Sequence, residues 1–445
     1  MQSQTHADSV VGQSVAVPAV YGDVDFGLMP ERLDVDAAAA DDRFVKMRGA
    51  VTRVLEQPAL METIHNATMT GDRVADAYAA LIPEFGLGRL VEMLETACSL
   101  GVDAVDDAPP ELVALVQAME NTPDWVDLDL VDQGARAERV AMATAAPFAI
   151  RGAFLATFLN QYAALPMTMT GTLSDEAATK RVFETASFFT ATTMPGALHR
   201  DGKGFEAAAK VRLMHSMVRF HLLDSGRWDV ATYGIPIPQV DQMPAGLIGV
   251  FLLSARLLRK GQREFTAEQK ATVELSRYRC FLLGLPQDLL GETPQEIIDL
   301  LTARHVSLRE SYDDEICGKL VRGTMDADLF DTSTLQGKLH AWLEDGFSRF
   351  VLITSFLAGD RARADEMGIS FGLDKKIAAG AAAATIAATT AFYEIGMRLP
   401  IVSGFVDTKL NERLAHLLDS YGHADFVTDA DRFALGDGQP TTITA

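Results

Sequence analysis

The hydrophobic positions of this chain recur at spacings of three and four residues from Pro30 to Leu418, between short breaks that contain proline or glycine. This period is that of amphipathic helices. No stretch of useful length alternates polar and apolar residues as a strand does, and no internal repeat or Gly-rich linker divides the chain. The pattern therefore predicts an all-α protein with one domain over residues 31–423. It also predicts a flexible arm at residues 1–30 and a polar, acidic tail at residues 424–445.

One predicted helix, Lys210 to Leu223 (KVRLMHSMVRFHLL), is apolar nearly all round and should cross the protein interior. His215 lies at the edge of its main apolar stripe, and Arg212 and Arg219 lie just beyond that stripe. The stripe consists of Val211, Met214, Val218 and Leu222. An imidazole for iron, an apolar wall for a porphyrin and two cations for its propionates form the combination that a haem needs. The alternative interpretation is a core histidine held by hydrogen bonds.

A second predicted helix, Asp175 to Thr190, carries two polar pairs at four-residue spacing. Lys180 and Glu184 suit an intrahelical ion pair on a surface helix, and Arg181 and Thr185 share the neighbouring face. Much of the same helix is nevertheless predicted to be buried because it carries Phe183, Phe188 and Phe189. A buried Arg181 would need a partner or an anionic ligand.

Composition and charge exclude several classes of function. The 445 residues include 61 acidic and 39 basic side chains, and the formal charge of -22 argues against nucleic acid or an anionic membrane as a partner. The three cysteines are far apart and form no C-x-x-C pair, so neither a disulfide framework nor a zinc site is expected. No dinucleotide-binding, Walker or nucleophile-elbow motif is present.

Two features concern the location of the protein. The first twenty residues have no basic region followed by a long apolar run, which predicts a cytoplasmic protein. The longest apolar stretch, Ile377 to Tyr393, is rich in Ala and Thr and is shorter than the roughly 20 residues that a bilayer requires. We therefore expect no membrane span and predict that this stretch is a tightly packed core helix.

Several motifs, taken in order, resemble the family of the latex clearing proteins, which are b-type haem rubber oxygenases, and of the oxygenase that cleaves a farnesyl side chain in mycophenolic acid biosynthesis. As they stand here, the motifs are TGTL at 170–173, RVFETASFF at 181–189, KVRLMHSMVR at 210–219, WDVATYGIPIPQVD at 228–241 and MPAGLIGVFLLS at 243–254. The resemblance implies a globin-like helical core wrapped by additional helices. It extends over about Pro30 to Leu418.

The resemblance also implies a cofactor and a reaction. Haem b would be bound with His215 as the proximal iron ligand, with Arg212 or Arg219 near the propionates and Met214 and Val218 against the porphyrin. Arg181 and Thr185 match the family's distal-side arginine and threonine, which would polarise O2. The substrate would be an apolar olefinic or isoprenoid small molecule, and in the family O2 insertion splits a C=C bond into two carbonyls.

Two positions depart from the family's pattern. Rubber oxygenases have a lysine where this chain has Glu184, and their distal glutamate falls near Leu165. Glu184 is therefore a candidate for the acid/base role, and rubber itself is not the expected substrate. Oxygen insertion without cleavage and peroxide-driven chemistry are alternative reactions. A haem-binding or sensing protein without turnover, and a helical interaction protein without a cofactor, are alternative functions.

Overall fold

The computed structural model of the protein describes residues 10, 12–33, 49–169 and 175–422, with only the backbone described at 175–177. The all-α prediction is confirmed. Apart from one antiparallel bridge between Leu33 and Leu308, the described ranges contain no β-structure.

The helices of the first half are short, with the exception of three that exceed twelve residues. They are α1 Pro18–Tyr21, α2 Ala50–Leu55, α3 Pro58–Thr68, α4 Arg73–Ala79, α5 Ile82–Phe85, α6 Leu87–Leu100, α7 Pro110–Glu120, α8 Leu128–Thr144, α9 Ala146–Leu155, α10 Gln161–Met169 and α11 Asp175–Ala191.

The second half contains the longest helices. They are α12 Lys203–Asp224, α13 Val230–Tyr233, α14 Gln239–Arg259, α15 Ala267–Leu282, α16 Pro294–Ser307, α17 Lys319–Asp326, α18 Leu335–Val351, α19 Arg361–Glu366, α20 Leu373–Arg398 and α21 Ser403–Tyr421. Single turns of 3₁₀ helix lie at Val102–Ala104, Ala156–Phe158 and Gln287–Leu289, and single turns of π helix at Asp314–Gly318 and Leu352–Phe356.

Helix α12 crosses the interior, as its all-round apolar surface predicts. It packs against α4, α6, α11 and α15. Phe205, Leu213, Met217 and Leu222 on this helix are each at most 1% exposed. Burying a side chain of this size stabilises the fold by about 1.5–3 kcal/mol. The helix that carries His215 is therefore held from several sides.

Part of the predicted arm, residues 12–21, is folded against the rest of the protein. Residues 12–16 and α1 are helical, and Tyr21 is fully buried. Gln13 Nε2 donates to the carbonyl oxygen of Met69 at 3.0 Å, and Gln13 Oε1 accepts from the amide of Gly71 at 2.9 Å. These long-range contacts override the lack of a helical period. Residues 1–9 and the predicted tail at 424–445 lie outside the described residues.

The long apolar segment from Ala146 to Leu165 does not form one continuous helix. A 3₁₀ turn at Ala156–Phe158 separates α9 from α10. The side chain of Asn160 stabilises the break, because its Oδ1 accepts from the amide of Tyr162 at 3.2 Å and its Nδ2 donates to the carbonyl of Arg309 at 3.0 Å. Such local side-chain bonds compete with helix continuation.

Helix α20 lies at the surface and is not the core helix that its small residues predict. Ala378, Ala379 and Ala382 are buried, and a Cβ at Gly346 of α18 would lie 2.5 Å from Ala378 Cβ. The small residues thus allow the expected close approach on one side only. The opposite side, which includes Ile377, is exposed.

One described helix, α14, is long and apolar enough to cross a membrane, and 56% of its most apolar window is buried inside the protein. A core helix passes the same test of length and composition. Helix α14 packs against α15 and α16, as a core helix does.

Candidate active site

His215 projects from the middle of α12 and is held by a chain of two glutamines at the start of α14. Its Nδ1 lies 3.2 Å from Gln242 Oε1. Gln242 Nε2 donates to Gln239 Oε1 at 3.2 Å. Gln239 Nε2 in turn donates to the carbonyl oxygens of Gly71 at 2.9 Å and Gly284 at 3.2 Å. No described residue hydrogen-bonds to the other imidazole nitrogen, Nε2.

The imidazole of His215 is neutral at pH 7. Its pKa is lowered to about 4, mainly by burial and additionally by the positive charges of Arg219 and Arg181. The neutral form is the one that binds a metal ion. Met214 and His215 nevertheless keep some accessible surface, whereas Leu213 and Ser216 on either side are buried. His215 is thus largely desolvated while part of its surface stays accessible.

Arg181 on α11 faces the same region. Its charge acts on His215, and its Nη1 lies 2.7 Å from Met167 Sδ at the end of α10. Burial lowers the pKa of Arg181 to about 10, so the guanidinium keeps its charge at pH 7. Arg181 and Thr185, one turn apart, are both partly accessible, as His215 is. The charge of Arg181 thus acts on His215, and Thr185 shares the helix face of Arg181.

Glu184 is not among the residues that act on His215. Its side chain is 9% exposed, and Lys180 Nζ lies 3.8 Å from its Oε1, which confirms the predicted ion pair. Burial raises the pKa of Glu184, while Lys180 and Arg181 oppose the rise. No described contact joins the carboxylate to His215. An acid/base role for Glu184 stays a prediction.

Arg212 and Arg219 have carboxylate partners. Arg212 donates to Asp72, with Nη2 2.9 Å from Oδ1, and Arg219 donates to Asp76. Arg219 also donates to two carbonyl oxygens, those of Pro236 at 3.0 Å and Ile237 at 2.6 Å. These contacts balance the buried positive charges of Arg212 and Arg219, so neither guanidinium requires an anionic ligand. Their proximity to haem propionates stays a prediction, as does porphyrin packing by Met214 and Val218, of which Val218 is buried.

Sequence reasoning missed the polar partners of the central helix. Asp72 and Asp76 begin α4, far from α12 in sequence, and only the fold brings them together. Gln239 and Gln242 gave a signal, because polar amides precede a long apolar run and belong to the recognised motif region. The TGTL motif at 170–173 lies outside the described residues.

A metal site with several protein ligands is not formed in the described ranges, where no three His, Cys, Asp or Glu side chains converge. Haem iron requires only one protein ligand, because the porphyrin supplies the others. His215 is therefore not part of a multi-ligand site for a free metal ion among the described residues.

The fold is all-α, and a neutral histidine lies on the helix that crosses its interior. Residues 139–388 match the family model described as "ER-bound oxygenase mpaB/B'/Rubber oxygenase, catalytic domain". The match covers more than half of the chain, so the protein belongs to this family of oxygenases.

A solved structure, "Structure of Latex Clearing Protein LCP in the closed state", is similar in fold. The TM-score is 0.54 at 19% sequence identity, and the alignment covers 79% of this chain and 91% of that chain. At this identity the similarity establishes the fold alone. No curated protein sequence matches the chain.

Proposed function

We propose that the protein is a haem b-dependent oxygenase that acts on an apolar olefinic small molecule, with cleavage of a C=C bond into two carbonyls as the leading reaction. The observation that carries the proposal is the state of His215. The imidazole is neutral, its Nδ1 is engaged by Gln242, and its Nε2 makes no hydrogen bond to the described residues. A ligand histidine typically has this arrangement, with one nitrogen held and the other available.

The residues present fit a haem. Haem b, when bound, supplies an iron that activates dioxygen. His215 would hold the iron, and Arg181, whose charge acts on His215, would supply a fixed positive charge that favours negative charge on oxygen. Thr185, one turn from Arg181, would add a hydroxyl donor.

The apolar surroundings of α12 support an apolar substrate. The hydrophobic cluster that contains α12 includes Leu165, Met167, Phe188, Phe189 and Met214 at or near this region. These side chains are apolar and belong to the same core cluster as the helix that carries His215. Leu165 is 8% exposed and carries no acid where rubber oxygenases have one, which is why the exact reaction needs its own test.

Haem binding is tested by the absorption spectrum of the full chain, as isolated and after reconstitution with hemin, before and after dithionite and CO. We expect a Soret band that is lost or shifted in His215→Ala. His221→Ala is the matched control, because His221 lies on the same helix, and its ring packs beside Phe220 at 5.5 Å between centroids. A protein that stays colourless with hemin would refute the proposal.

The reaction is tested with squalene, an apolar polyolefin, under ¹⁸O₂. Cleavage gives two carbonyl fragments with one ¹⁸O atom each, whereas insertion gives a product with the carbon count unchanged. Arg181→Met should reduce turnover and keep the Soret band, since Arg181 does not hold the iron. A Soret band without O2 consumption across a series of olefins would indicate a haem-binding protein without turnover.

A further inference from the structure

The orientation of every amide in the chain behind His215 can be deduced from its far end. The oxygens of Gly71 and Gly284 are backbone carbonyls, which can only accept hydrogen bonds. The Gln239 atom that contacts them must therefore be the NH₂ group. That leaves the Gln239 oxygen to accept from Gln242 Nε2, and the Gln242 oxygen to face His215.

The direction of these hydrogen bonds also determines which nitrogen of His215 carries the proton. A carbonyl oxygen of Gln242 at 3.2 Å requires a donor, so the proton of the neutral imidazole lies on Nδ1. In free neutral imidazole the proton can occupy either nitrogen, whereas the acceptor beside Nδ1 keeps it on Nδ1. The Nε2 lone pair is then directed away from Gln242.

We propose that Gln242, locked by Gln239, is the positioning residue that fixes the Nδ1–H tautomer of His215 and tunes its strength as an iron ligand. The second part rests on the proposed function. Both amides are buried, at 8% exposed for Gln242 and 1% for Gln239, so water does not replace them. A neutral amide acceptor gives the imidazole less anionic character than a carboxylate would, since the strength of the hydrogen bond sets ligand basicity.

The first arm of the test needs no haem. Long-range ¹H–¹⁵N correlation spectra of the cofactor-free full chain, labelled at histidine, report which nitrogen of each imidazole carries the proton. We expect the Nδ1–H form for His215, assigned by its loss in His215→Gln, and a mixture or the Nε2–H form in Gln242→Leu. Gln239→Leu should give a partial change, because Gln242 then loses its anchor. Gln57→Leu is the control: its amide donates to the carbonyl of Arg53 at 3.2 Å.

The second arm uses the haem-loaded protein. Relative to the parent, Gln242→Leu should shift the iron–histidine stretching frequency down and the reduction potential up, and Gln242→Glu should shift both the opposite way. An Nε2–H tautomer in the parent, or no change in Gln242→Leu, overturns the inference. A protein that takes up no hemin refutes the proposed function, while the first arm still decides the tautomer.

A separate observation concerns the exposed side of α20, here named the α20 face. It contains Ile377, Phe392 and Ile395, which are 56%, 59% and 58% exposed, with the exposed small residues Gly380, Ala384 and Ala388 between them. No charged residue occurs from 377 to 393. A contiguous exposed apolar face of this kind marks an interaction surface.

The charges at its ends identify a second copy of this chain as the occupant. Lys376 and Glu394 are both exposed and lie about five helical turns apart, so they are on the same side of α20. A two-fold axis at the level of Thr385 places Lys376 of each copy beside Glu394 of the partner subunit. The same register brings Ile377 between the partner subunit's Phe392 and Ile395, with small residues at the centre where helix axes approach most closely.

We infer that the α20 face forms a two-fold, antiparallel dimer contact. Sedimentation of the full chain should show a dimer, and Ala384→Glu should abolish it. Lys376→Glu should weaken dimerisation through like charges, and the double variant Lys376→Glu/Glu394→Lys should restore it. Lys409→Glu, at an exposed lysine on α21, is the control and should leave the dimer intact.

Two outcomes overturn this contact. The first is a monomer throughout the concentration range. The second is binding of the parent to neutral phosphatidylcholine vesicles that Ala384→Glu abolishes, because the face then docks on lipid instead.

Discussion

The buried pair of Asp76 and Arg219 allows a quantitative test of the packing behind the central helix. Both side chains are fully buried, and Asp76 also accepts from the hydroxyl of Tyr21. Burial raises the pKa of Asp76, and the charge of Arg219 opposes that rise. Replacing Arg219 with Met removes the opposing charge, so we expect the folded variant to keep Asp76 protonated.

The size of the effect follows from the pH. An aspartate in the unfolded chain has a pKa of about 3.9, and each pH unit above it costs about 1.4 kcal/mol if the folded state holds the proton. The cost is about 4 kcal/mol at pH 7 and about 1.5 kcal/mol at pH 5. Because the pKa of Asp76 is raised in the folded variant, the variant has its full stability below the unfolded pKa of about 3.9. It loses that stability as the pH rises.

Urea unfolding at pH 7, 6 and 5 measures this dependence. The free energy of unfolding of Arg219→Met, relative to the parent, should recover by up to about 3 kcal/mol between pH 7 and pH 5, the full value applying where Asp76 stays ionised in the parent. The double variant Arg219→Met/Asp76→Leu has no buried carboxyl at this position and should lose that recovery. Parallel pH profiles for the parent and Arg219→Met would refute the reasoning.

Three further outcomes are expected. Glu184→Gln should stabilise the protein at pH 7 and not at pH 4, because burial raises the pKa of Glu184 and makes its ionised form unfavourable. Unchanged turnover in the same variant would exclude the acid/base role. Gly152→Ala should destabilise it by about 1–3 kcal/mol in thermal unfolding, since the new Cβ would lie 2.3 Å from the carbonyl oxygen of Ser348. The Soret band of the loaded protein should persist from pH 7 to pH 5, because burial already disfavours the protonated imidazole and iron binding disfavours it further; loss near pH 6.5 would contradict His215 as a buried iron ligand.

The order of helices and the central position of α12 could be predicted from the sequence, because hydrophobic period reports which faces are buried. The same period cannot say how a buried polar residue is paired. Arg212 and Arg219 fit a propionate site by helix spacing alone, yet their carboxylate partners come from α4, more than a hundred residues earlier. Long-range pairing depends on the tertiary fold and leaves no local pattern.

For helix α20 the sequence predicted the close packing but not the exposed side. Its run of alanines correctly indicated close packing, which occurs against α18. Alanine is small enough for either a core or a surface, so composition did not reveal that the other side is open. The difference between a core helix and a surface helix becomes visible only when one compares the positions around the helix of the exposed Ile377, Phe392 and Ile395.

The region behind His215 is built from three segments that are distant in sequence. Gln13 accepts from the amide of Gly71, and the carbonyl of the same Gly71 accepts from Gln239, which leads through Gln242 to His215. The amino-terminal segment is thus the outermost layer of the same polar network that orients the imidazole. Such a network is strong only when every member is paired, because an unpaired buried amide costs more than a hydrogen bond gains. A change at Gln13 should therefore reach His215 through Gly71, without any contact between the two side chains.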